Sequence, residues 1–158
     1  MSNIKINDST VRQFGPSPWG NQSVLTFSFV TTSAGAVVNS NSTTAVAIGD
    51  VVDLGELPAG FRLDDSKVLV SDAFTTGATA KLGFKYEDGV DDATVPQDDD
   101  YFGTGLALDV AARLRNVTAN KPVNLPKPAR LILTLAGAAL AEAGRLDVAI
   151  TGELTGAK

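Results

Sequence analysis

The sequence predicts an all-β fold, a β-sandwich or jelly roll of about six to eight short strands, preceded by an extended N-terminal arm and including one short helix. Three observations carry the prediction. Ala78, Ala80, Leu82, Phe84 and Tyr86 alternate strictly with Thr79, Lys81, Gly83 and Lys85, the two-residue period of a strand. Fifteen Gly and seven Pro are spread among many Thr, Val and Ala, a mixture suited to short strands joined by turns. A chain of 158 residues is long enough to build a core of its own, and it contains no Cys with which to staple one.

Residues 1–23 form the arm and 24–158 the domain. Within the arm, Phe14-Gly15-Pro16-Ser17-Pro18-Trp19-Gly20 rules out a regular helix and favours an extended path. Ile4 and Ile6 alternate with Lys5 and Asn7, as in a strand that adds to an open edge, and Phe14 and Trp19 supply aromatic anchors. These four residues are the expected interface. Trp19, the chain's one tryptophan, buries itself against either its own domain or a neighbour, and both alternatives remain open at this point.

In the domain, Leu25, Phe27 and Phe29 alternate with Thr26 and Ser28, giving a half-buried strand. A Ser/Thr/Asn/Gly loop runs from Thr31 to Thr44, and β character resumes from Ala45 to Leu54. Leu57-Pro58-Ala59-Gly60 marks a turn. The next strand, Phe61 to Ser71, is expected to bend or break at Asp64-Asp65-Ser66. After the strand at 78–86, the segment 87–100 carries seven carboxylates and no base, which makes it a solvated acidic loop. Leu106, Val110 and Leu114 are spaced by four among alanines, which predicts the short helix within 101–116. Three prolines confine 117–128 to a loop or an edge. Alternation around Leu131, Leu133 and Leu135, and again around Leu146, Val148 and Ile150, predicts a closing hairpin.

The absence of both His and Cys removes zinc fingers, thiol catalysis and Ser-His-Asp triads. Ser66 and Lys67 are neighbours on a strand and point to opposite faces, so they make no dyad. Asp98-Asp99-Asp100 lacks the D-x-D-x-D spacing and turn glycine of a calcium loop. Among 18 acidic residues no pair stands out for glycoside hydrolysis, and no phosphate-cradling glycine motif is present. The expectation is therefore no enzyme, no catalytic residue, no metal and no cofactor. A net charge of −5 argues against direct nucleic-acid binding. No apolar run is long enough for a transmembrane helix, and the N-terminus lacks the apolar stretch of a secretory signal, so neither a membrane nor export is expected. From Val110 to Leu140 there are five basic residues, Arg113, Arg115, Lys121, Lys127 and Arg130, and no acid, which set beside the acidic loop is a polarity by which neighbouring copies could pair.

The run VVDLGELPAGFRLDDSKVLVSDAFTTGATAKLGF, Val51 to Phe84, resembles a recurrent pattern in small structural proteins of tailed bacteriophages. The resemblance continues in Asp99-Asp100-Tyr101-Phe102 with Gly103 and Gly105, and in Arg130 to Leu154. It covers about two thirds of the chain and omits the arm and most of the acidic loop. Proteins of this kind are similar to head decoration, or cement, proteins. The resemblance implies a sandwich unit that sits on the outside of a capsid as a homo-oligomer, a dimer or trimer, and binds the major capsid protein between capsomers. It also implies a place in the virion after synthesis in the bacterial cytoplasm. The alternative is a tail or baseplate β-sandwich module that recognises a host-surface carbohydrate, for which the supply of aromatic platforms is thin.

Overall fold

A computed structural model describes residues 3–5, 22–116 and 118–154. Ten strands make up the described chain: β1 (Asn3–Lys5), β2 (Gln22–Thr31), β3 (Val51–Leu57), β4 (Phe61–Asp72), β5 (Thr79–Tyr86), β6 (Asp98–Ala107), β7 (Ala112–Arg115), β8 (Val123–Asn124), β9 (Ala129–Ala136) and β10 (Gly144–Leu154). They form two five-stranded sheets packed face to face. The first has the order β1-β3-β9-β5-β6; the second has the order β2-β10-β4-β7, with β8 paired to the start of β4. β1 and β3 are parallel and every other pair is antiparallel.

The core between the sheets is filled by the inward members of each alternating strand. Ala80, Leu82, Phe84 and Tyr86 of β5 are buried, as is Ala78 just before it, so the alternation read from the sequence defines the true inward face. Leu131, Leu133 and Leu135 meet them from β9, and Leu25, Phe27, Phe29, Leu146, Val148 and Ile150 close the opposite layer. At the ends, Phe74 stacks on Phe29 with ring centres 5.3 Å apart, and buried Leu108, Leu125 and Leu140 fill the loops.

Bulges let polar clusters sit in otherwise buried strands. Thr151 pairs with Asp65 and Gly152 with Leu63, so Asp64 is an extra residue in β4. The extra residue turns both Asp64 and Asp65 outward while Leu63 and Ser66 stay buried. The strand bends here and continues.

Two expectations are corrected. No helix occurs among the described residues: Leu106 lies in β6, Val110 in an exposed turn, and Leu114 in β7. The spacing of four spans two strands and the turn between them, and the backbone bonds to neighbouring strands instead, with Leu108 N–H donating to Ala78 O at 3.0 Å as a continuation of the β5–β6 pairing. The strands at 129–136 and 144–154 are not a hairpin, because β9 lies in the first sheet and β10 in the second. Each strand's apolar face is directed at the other across the core, and the connection between them bridges the two layers, with Leu140 buried at its centre.

Candidate interaction surfaces

The acidic segment is built rather than merely solvated. Asp92 Oδ1 accepts from the backbone N–H of Thr94 and Val95 at 2.8 and 3.0 Å, and Asp91 Oδ1 from that of Gln97 at 2.7 Å. Lys127 binds Asp88 at 2.7 Å and lies 4.6 Å from the centre of the Tyr86 ring. The Tyr86 hydroxyl donates to Val95 O at 2.5 Å. The Lys127 hydrogen bond holds Asp88 below the usual carboxylate range, and the Val95 and Thr94 amides do the same for Asp92. Burial, with the charges of Asp92, Asp91 and Asp88 behind it, pushes the Tyr86 phenol up to about 12.

The last three acids of that segment belong to strand β6. Between the pairs Leu82–Gly103 and Phe84–Asp98, the chain from Asp99 to Phe102 faces Gly83 alone. The Asp98–Asp100 backbone crosses so close that a Cβ on Gly83 would lie 2.1 Å from Asp98 O. Carboxylate oxygens of the three aspartates come within 4.8 Å of one another. Lys81 Nζ stands 3.2 Å from Asp99 and 3.7 Å from Asp100, supplying the compensating positive charge. Three carboxylates beside an ammonium supply fewer than the six to eight oxygens calcium takes. Burial, then the neighbouring carboxylates, raises the Asp98 pKa although the Asp100 amide opposes this.

Next to this strand a cleft of about 320 Å³ is lined by Phe84, Val95, Asp98, Tyr101, Asn120 and Lys121. Several of its polar groups are bonded within the chain: the Tyr101 hydroxyl donates to Lys121 O at 2.8 Å, and Thr118 Oγ1 and Asn120 Nδ2 donate to Tyr101 O at 2.6 and 3.0 Å. No nucleophile and base face each other there. The cleft docks the 118–123 loop onto the end of the sandwich.

The predicted basic stretch is dispersed. Arg115 pairs with Asp65, Lys127 with Asp88, and Arg130 with the buried Asp53, so three of its five cations are neutralised locally. On the outer face of the second sheet, Arg62 bridges Asp64 and Glu153, and Arg145 pairs with Asp147, which also accepts from Ser28. Both sheets therefore present mixed-charge outer faces.

Of the four expected interface residues, Ile4 lies on β1, where it pairs in register with Val52 and is 1% exposed. Lys5 exchanges hydrogen bonds with Asn41, its N–H donating to Asn41 Oδ1 at 2.9 Å and its C=O accepting from Asn41 N at 3.0 Å. This strand thus joins the chain's own first sheet. Ile6, Phe14 and Trp19 lie outside the described residues. Sequence reasoning missed the outer edge of β2, because which strand ends a sheet is decided by topology.

The architecture is that of a two-sheet β-sandwich with bulged, charge-studded outer faces and no catalytic constellation among the described residues. No protein-family model matches the chain, and no match was found among the curated proteins. Solved structures do match the fold. A chain of "Capsid of Ralstonia phage GP4" superimposes with a TM-score of 0.64 at 16% identity, covering 99% of this chain and 100% of that one. A chain of "Acidic stable capsid structure of Helicobacter pylori bacteriophage KHP30" matches with a TM-score of 0.50 at 12% identity, over 84% of this chain and 89% of that one.

Proposed function

We propose that this protein is a structural component of a phage capsid and, more specifically, a head decoration protein that binds between capsomers and stabilises the shell. The observation that carries the reading is the end-to-end fold match with a chain of the GP4 capsid. The phage pattern from Val51 to Phe84 points the same way. In this reading the partners are the major capsid protein and further copies of the chain, and the place of action is the outside of the virion.

The physical task is light. A protein that binds the assembled lattice better than free subunits stabilises the lattice by mass action, without chemistry. A rigid sandwich suits this task because it loses little conformational freedom on docking. Beyond β1, the arm residues Ile6, Phe14 and Trp19 are the proposed anchors on a neighbour. The carbohydrate-binding alternative receives no support from the described surface, where every phenylalanine and tyrosine is buried.

The test uses capsids assembled without the protein. Adding the purified chain should saturate at a fixed number of copies per capsid and raise the temperature at which the shells open. Capsids that take up none of it, while it binds tails or host cells, would overturn the reading.

A further inference from the structure

We propose that the outer edge of β2 is a self-association surface, at which two copies pair their β2 strands antiparallel across a two-fold axis. This names the surface for the homo-oligomer of the preceding section but rests on the edge itself. Exposed edges are normally blunted by brevity, charge or bulges. Three of the four sheet edges here obey that rule. β1 has three residues; β6 is bulged and opens with three aspartates; β7 has four residues, two of them Arg113 and Arg115, with the two-residue β8 beyond it.

β2 has none of these devices. It runs for ten residues, QSVLTFSFVT, without a charge or a proline, and pairs with β10 from Gln22 to Thr31 with no shift in register. Its far end is covered, since Val38 N–H donates to Val30 O at 2.9 Å and Val37 bridges Thr31. The outward direction of the Val30 carbonyl fixes the rest by alternation: the backbone groups of Val24, Thr26 and Ser28 also point away from β10. No described residue pairs with them.

The chemistry of the edge favours a second copy. Two-fold pairing brings a strand against itself, so any charge near the axis would meet its like, and β2 carries none. The side chains brought together are Val24, Thr26 and Ser28, a β-branched pair and a small hydroxyl, all of which suit cross-strand contact. On that face Asp147, opposite Ser28, is paired with Arg145, and Lys67 stands one strand further from the edge, beyond Ala149.

The experiment combines sedimentation of the full chain with amide hydrogen exchange. We expect a dimer at micromolar concentration, with the amides of Val24, Thr26 and Ser28 protected and their protection falling on dilution. Thr26→Lys places like charges across the axis and should weaken the dimer at least about tenfold with the circular dichroism spectrum unchanged, whereas Thr26→Ser should retain it. A wild type that stays monomeric overturns the proposal, as does a dimer indifferent to Thr26→Lys. Protection that persists in a monomer would place another segment of the same chain on the edge; protection that arises only with capsids would place the capsid protein there, and either contradicts the proposal. Failure to bind capsids, by contrast, leaves this result untouched and bears on the proposed function alone.

Discussion

Gly83 shows how a single residue position can be governed from far along the chain. In the sequence it is one of the alternate, outward members of β5, interchangeable with Thr79 or Lys85. In the fold it lies under the Asp98–Asp100 backbone, where no Cβ fits. Local pattern cannot reveal this, because the crossing strand is a tertiary partner. We expect Gly83→Ala to cost roughly 1 to 3 kcal/mol through overpacking, or to detach the start of β6, as read by denaturant unfolding. The buried tyrosines give a second expectation at this scale. Tyr86 is 1% and Tyr101 6% exposed, and burial pushes both phenols up to about 12 from 10.0. Above pH 10 the unfolded state loses these protons while the folded state keeps them. The contribution is therefore complete below pH 10 and lost as pH rises toward 12. Tyr86→Phe should remove its share of that alkaline slope, and a slope identical to wild type would refute the assignment.

Among the elements, the strands with unbroken alternation were legible in advance, and β5 is the clearest case: one period of two fixes which five side chains enter the core. The misread elements are those in which a short-range spacing competed with long-range pairing. Leu106, Val110 and Leu114 mimic a helical stripe, yet β6 and β7 belong to opposite sheets, and helix propensity in the alanines yields to hydrogen bonds offered by β5 and β4. The β9 and β10 pair misled for the same reason, since alternation identifies a strand's faces but not its partner. β1 divides the N-terminal segment into parts with different expectations. Ile4→Ala should destabilise the isolated domain by about 2 kcal/mol or more, because its side chain is buried beside Val52. Phe14→Ala with Trp19→Ala should leave thermal unfolding of the isolated domain nearly unchanged while weakening assembly or capsid binding, with each anchor contributing about 2 kcal/mol. Unfolding caused by that double substitution would assign the aromatics to their own domain instead.

At the scale of the whole molecule, charge and polarity are satisfied locally. Without His or Cys the chain is poor in catalytic groups, its ion pairs close locally, and no buried side-chain polar atom among the described residues is left without a partner. The self-association edge proposed on β2 had to await the topology. The central claim is best tested by cryo-electron microscopy of the virion that carries this protein. The account predicts density on the outer surface of the head, between capsomers, into which the ten-stranded sandwich fits as a rigid body. Density confined to the tail, or a head surface bare of it, would contradict the account.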